Sequence, residues 1–181
     1  MSKIRMATTW LDGCSGCHMS LLDIDERILD VAKLADIVKC PLVDGKEFPE
    51  VDIALVEGAV ASDSHLHEIK HIRKQAKTLV AFGDCAVTGN VTSLRNFLSK
   101  DVVLNYSYKE AVSNDQEGTL PDDPVLQKLS DKVIPLHEAV PVDFYIPGCP
   151  PSADLIFYVL FELLNDRVPV LKQEGRELKY G

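Results

Sequence analysis

Four of the five cysteines in this chain stand where thiols do chemistry. Cys14 and Cys17 form a CxxC pair in "TTWLDGCSGCHMS", flanked by Gly13 and Gly16. Cys85 lies in "FGDCAVTG" and Cys149 in "IPGCPPSAD". A pair at this spacing suits a redox dithiol, a zinc knuckle or half of an iron–sulfur site. Zinc ribbons usually carry two paired knuckles, whereas here one pair is joined by two single cysteines far apart in sequence. A thioredoxin-like dithiol, which Trp10 upstream would suit, leaves Cys85 and Cys149 without a role. Spacing and position therefore leave four readings open. They are a [4Fe–4S] cluster, which ranks first, a four-cysteine zinc site, a dithiol, and small buried residues with no chemistry.

The elements that must position these thiols alternate between two periodicities. Residues 3–11 read as a first strand, and residues 35–43 and 51–60 as a second and a third. The third is a near-continuous apolar run, as a strand covered on both faces should be. Leu21, Ile24, Ile28, Ala32 and Ala35 recur at helical spacing, which predicts one helix over 17–35. Ser62 and Asp63 can cap a helix over 65–77, whose last turn gathers Arg73, Lys74 and Lys77. Residues 78–85 and 141–149 read as a fourth and a fifth strand, and 152–166 as a final apolar helix behind Ser152.

That order predicts one α/β domain over 1–181, with a doubly wound, mostly parallel sheet and helices on both faces. A long, less regular insertion at about 87–140 includes the polar stretch "SNDQEGTLPDDP" and reads as a binding loop or partner surface. Ligands of such sheets sit beyond the carboxyl ends of the strands. Cys14 and Cys17 follow strand one, Cys85 ends strand four and Cys149 ends strand five, so all four are expected at one edge. The third strand ends there too, in Glu57-Gly58-Ala59. Gly13, Gly16, Gly83 and Gly148 permit close backbone approach.

Composition narrows the partners. The 181-residue chain is 46% hydrophobic and carries a net charge of -9, which argues against nucleic acid, whose affinity comes from Lys and Arg on phosphates. No apolar run reaches the roughly 18–20 residues that span a bilayer. The start "MSKIRMATTW" has no signal-peptide pattern, so a cytoplasmic location is expected. An odd cysteine count in that compartment argues against a disulfide framework.

Taken together, "WLDGCSGCHMSLLDID", "VDIALVEGAVA", "FGDCAVTGNV" and "VDFYIPGCPPSAD" resemble the small subunits of [NiFe]-hydrogenases, most closely the soluble, bidirectional, NAD(P)-linked type. The resemblance covers almost the whole chain. It implies a flavodoxin-like fold holding one [4Fe–4S] cluster, with Cys14, Cys17, Cys85 and Cys149 at the family's ligand positions. It further implies a partner large subunit that carries the Ni–Fe centre and splits hydrogen. Electrons would then pass through the cluster to diaphorase subunits, with Fe–S clusters and flavin, that reduce NAD(P)+. Hydrogenases with other electron acceptors share these core motifs. The flavodoxin-like fold invites FMN, but no distinctive flavin loop is present.

Around the thiols, Glu57, His18 and Thr88 are candidate tuning or interface residues. "HEIKH" at 67–71 matches a zinc-protease pattern. Its His67, Glu68 and His71 lie off the apolar face of Leu66, Ile69, Ile72 and Ala76, and are expected to face solvent. Cys40 reads as a small buried residue within the second strand.

Overall fold

The computed structural model describes residues 3–43, 45–114 and 118–171. In chain order the elements are β1 (Ile4–Trp10), α1 (Gly16–Leu22), α2 (Ile28–Leu34), β2 (Ala35–Lys39), β3 (Val51–Glu57), β4 (Val60–Ser62), α3 (Asp63–Gln75) and β5 (Ala76–Phe82). They continue with α4 (Asp84–Thr88), α5 (Lys100–Tyr108), β6 (Leu129–Ile134), α6 (Leu136–Ala139), β7 (Phe144–Ile146) and α7 (Ala153–Leu164). Short 3-10 segments lie at Asp25–Arg27 and Asn90–Phe97.

Five strands form one sheet in the order β2-β1-β3-β5-β7, and every pairing within it is parallel. This is the flavodoxin-like doubly wound order, whose direction of winding reverses between β1 and β3. Strand alternation divides the core between the two faces. Met6, Ile53, Leu55, Val80 and Phe82 pack with α1, α2 and α7 through Leu21, Val31, Ile156 and Leu160. Ala7, Ala54, Val56, Leu79 and Ala81 face the other way, against Ile69 and Ile72 of α3 and Leu136 of α6. Both faces of β3 are dry, which is why its sequence is apolar almost throughout.

Several boundaries differ from the periodicity reading. The expected helix over 17–35 is two helices separated by a 3-10 turn, because Asp25 adopts φ 53° and breaks the helical path. The expected strand over 51–60 is divided at Gly58, whose φ of 86° turns the chain from β3 into β4. A Cβ on Gly58 would lie 2.7 Å from the Asp12 carbonyl oxygen, so a side chain is excluded there. The second strand stops at Lys39, which leaves the half-buried Cys40 just beyond it. The fifth strand shrinks to Phe144–Ile146. The helix after Ser62 forms as expected, with the Ser62 hydroxyl accepting from His65 N.

Within 87–140 the chain is more regular than its patterning suggests. Ser99 caps α5, and β6 pairs antiparallel with β4 as a second, two-stranded sheet. Arg95 and Asn96 tie the preceding 3-10 segment to β6: Arg95 donates to Ser130 O at 2.9 Å, and Asn96 both donates to and accepts from the Val133 backbone at 2.8 Å. No helix among the described residues is long and apolar enough to cross a membrane.

Candidate functional site

The carboxyl edge of the sheet is built from backbone hydrogen bonds between loops. Leu11 N donates to Glu57 O, and Asp12 and Ala59 exchange a pair of backbone bonds at 3.0 and 2.7 Å. These bonds hold the CxxC loop to the end of β3, at the point where the winding reverses. After β5, Gly83 N donates to Ile146 O at 2.8 Å, and Asp84 N to Gly148 O at 2.9 Å. The two single-cysteine loops are thereby joined to each other. Ser20 of α1 donates through its hydroxyl to Pro151 O at 2.5 Å, which links the first loop to the last.

Cys14, Cys17, Cys85 and Cys149 meet at this edge. Cys17 is buried, Cys85 half-buried, and Cys14 and Cys149 exposed. Burial pushes the Cys17 thiol up from its ordinary value, and the negative charge of Glu57, Cys85, Cys14 and Cys149 pushes it further. Burial likewise raises Cys85, followed by Cys149 and Cys14. Among the described residues, no three metal-binding side chains close around the position of a single ion. Gly83 makes room for the thiols: at φ 83°, an added Cβ would lie 2.1 Å from the Cys17 sulfur. Cys85 lies in the first turn of α4 rather than at the end of a strand. Cys149 precedes a cis peptide bond to Pro150.

Glu57 is drawn into the site. Its carboxylate is 2% exposed and accepts from Cys17 N at 3.4 Å and His18 N at 3.0 Å. It also bonds His18 Nδ1. Ser15 supplies no side-chain cap to α1, so this acid from the neighbouring strand satisfies two N–H groups of the first turn, those of Cys17 and His18. The His18 ring meets Trp10 and Phe82 edge-on, at centroid separations of 5.3 and 5.9 Å. Thr88 is placed differently: its hydroxyl donates to Asp84 O at 2.9 Å and accepts from Asn90 N, which closes α4.

Two residues with structural parts at this edge were not singled out from sequence. Asp84 is 5% exposed, and its Oδ1 accepts from Gly148 N at 2.7 Å. An acid inside "GDC", at a turn from strand to helix, was the available signal. Ser20 had none, since its partner Pro151 is 131 residues away.

The residues fit the candidate cofactors unequally. Thiols beside a backbone that only glycine permits at Gly83 fit an iron–sulfur cluster. FMN does not fit the loop after β1, because Glu57 already takes the N–H groups a phosphate would need and would repel it. A cavity of about 380 Å³ beside α1 is lined by apolar residues such as Met6, Leu21 and Leu160, with His18 and Thr8. Among the described residues, no Lys or Arg lines it to meet a phosphate. At "HEIKH", His67 and His71 are exposed as expected, whereas Glu68 is half-buried and accepts from Thr9 Oγ1 at 3.5 Å.

The family model for NADH ubiquinone oxidoreductase, 20 Kd subunit, matches residues 14–163, the whole span from the first candidate cysteine to the last helix. The chain belongs to this family. Within it the relatives are hydrogenase subunits. The delta subunit of the NAD-reducing hydrogenase HoxS of Cupriavidus necator is 38% identical over 91% of this chain and 80% of its own length. A subunit of the F420-non-reducing hydrogenase of Methanothermobacter marburgensis is 40% identical over 90% of this chain. The chain spans only 54% of that relative's length. A chain in the crystal structure of an NAD+-reducing [NiFe]-hydrogenase in the H2-reduced state superimposes with a TM-score of 0.95 at 39% identity. That match covers 99% of this chain and 100% of the other. The fold is therefore that of a subunit of this [NiFe]-hydrogenase.

Proposed function

We propose that the chain is the electron-transfer small subunit of a cytoplasmic hydrogenase, and that Cys14, Cys17, Cys85 and Cys149 hold one [4Fe–4S] cluster. The observation that carries this reading is the gathering of four thiols from three loops at the winding reversal of the sheet. Backbone and side-chain bonds tie the three loops to one another, and the Gly83 backbone lies against the Cys17 sulfur. One CxxC pair joined by two single cysteines on separate loops favours a polynuclear cluster over a zinc site, which is usually built from paired knuckles.

Bound there, the cluster supplies one-electron transfer. The protein's own part is to hold the thiols in place, bury Cys17, and expose Cys14 and Cys149 toward a partner. The partner in this reading is a large subunit with the Ni–Fe centre, and electrons continue to a diaphorase module reducing NAD(P)+. The identity to the HoxS subunit over most of both chains supports that acceptor. Exposed apolar residues on the 87–140 segment, among them Leu94, Phe97, Val102 and Tyr106, offer surface for such an assembly. A second reading keeps the cluster and changes the acceptor, and the similar identity to the F420-non-reducing relative favours it.

Anaerobic purification tests both. The expected result is about four irons per chain and broad absorption near ~400 nm, with a nickel-bearing subunit co-purifying. A colourless chain with stoichiometric zinc would overturn the cluster. NAD(P)+ reduction by the purified complex under hydrogen separates the two acceptor readings. Cys85→Ser and Cys149→Ser should each abolish the iron, while Cys40→Ser should leave it intact.

A further inference from the structure

Asp84 stands immediately before Cys85, and Gly148 immediately before Cys149. The two residues are bonded twice. The backbone N–H of Asp84 donates to Gly148 O at 2.9 Å, and the backbone N–H of Gly148 donates to Asp84 Oδ1 at 2.7 Å. The side chain that closes the second bond is 5% exposed. A third bond, Gly83 N to Ile146 O, extends the contact back toward the parallel pairing of β5 and β7. Neither loop can move along the other without breaking this set.

The bonds also explain residue choices on both sides. Gly148 has φ 136°, and a Cβ there would meet Pro151 at 2.6 Å, so the loop is compact and accepts no side chain. Such a residue cannot contribute a side chain to hold its own loop. Its N–H must be met from outside, and Asp84 is the group that meets it. A carboxylate is a strong acceptor for a buried N–H, because a charge-assisted bond in a dry setting exceeds a neutral one.

We propose that Asp84 is a positioning residue: it clasps the Cys85 and Cys149 loops together and so fixes the separation of their thiols. The consequence for loading rests on the cluster reading above, whereas the clasp itself is a property of the polypeptide. Two kinds of measurement therefore apply. The first is amide hydrogen exchange at Gly148 in the full chain, which requires no metal. Asp84→Ala should speed that exchange by roughly tenfold, the effect of losing a strong hydrogen bond. Asp84→Asn keeps an acceptor oxygen without the charge and should speed exchange by only a few-fold, between Asp84→Ala and wild type.

The second measurement is iron per chain, with the EPR line shape of the anaerobically purified protein. Asp84→Ala should lose most of its iron and broaden the remaining signal, and Asp84→Asn should retain both iron and line shape. Ser20→Ala, which removes a different tie to the same loop, should leave Gly148 exchange unchanged. Unchanged Gly148 exchange in Asp84→Ala overturns the proposal. So does an Asp84→Asn protein that loses its iron as completely as Asp84→Ala. Should Asp84→Ala fail to fold, the Asn variant decides: accelerated Gly148 exchange supports the clasp, and wild-type exchange overturns it. Wild-type protein without iron would defeat the cluster reading alone, because the exchange experiment would still decide the clasp.

Discussion

The two ends of the parallel sheet use acidic residues in opposite ways. At the amino end, Asp52 meets the Lys77 ammonium at 2.6 Å and the Arg5 backbone N–H at 2.8 Å. Asp143 meets Arg73 and Leu79 N nearby. The first pair is open to water through Lys77, and the second through Asp143, with Arg73 partly covered. At the carboxyl end, Glu57 and Asp84 are buried, and both accept from the backbone of cysteine loops. Solvated pairs of the first kind contribute about 0–1 kcal/mol each. A buried acceptor of the second kind is costly to remove, because the donors it served are left unpaired in a dry place. Solvated pairs thus brace one end of the strands, and buried acids hold the cysteine loops at the other.

Gly83→Ala should break the carboxyl end most severely. The new Cβ would overlap the Cys17 sulfur, and φ 83° with ψ 161° suits glycine almost alone. Bound iron should be lost, and urea denaturation should show a deficit of about 3 kcal/mol or more. A variant with wild-type iron and stability would show that this edge is not tightly built.

Glu57→Leu should follow. It leaves the Cys17 and His18 N–H groups without their acceptor and His18 Nδ1 without its partner. The expected loss is about 2–4 kcal/mol by the same measurement. Glu57→Gln retains an acceptor oxygen and should recover at least half of it. Ser20→Ala removes one neutral bond to Pro151 and should cost about 1 kcal/mol.

How far the sequence led depends on the range of the forces involved. The parallel sheet was legible because alternation and helical spacing are local. The meeting of four cysteines was legible because each follows a strand of that sheet. The break at Asp25 was hidden, since the apolar residues keep their helical spacing across it. The pairing of β4 with β6 joins Ser62 to Leu129, and no local pattern announces so distant a partner. α5 has a capping Ser99 but no buried residue, so it lacks the apolar stripe by which a helix is recognised. Glu57 reads from the sequence as a tuning or interface acid at a strand end, but its contacts with α1 arise only when β3 lies beside β1. Asp84 escaped for the same reason: its acceptor role exists only once β5 and β7 are neighbours.

The smallest effect is expected at the amino end, and its pH dependence gives the sharpest contrast. The Lys77 ammonium, and after it the Arg5 backbone N–H, holds the Asp52 carboxyl below its ordinary range. A group with a depressed folded value stabilises the fold above its unfolded value of about 3.9 and loses that stabilisation as pH falls through the folded one. Asp52 raises Lys77 in turn, so the lysine's share is present below its unfolded value and is lost as alkali passes the folded one. Lys77 is open to solvent, and salt screens what remains. Lys77→Met should therefore match wild type in urea midpoint at neutral pH and about 0.15 M salt, within error. At low ionic strength a small deficit should appear near neutrality and shrink in acid, as pH falls below the ordinary carboxylate range and through the lowered value that Lys77 gives Asp52. A deficit that persisted in acid or in high salt would mean that Lys77 acts through packing. The amino end would then resemble the carboxyl end, and the division of labour between the two edges would fail.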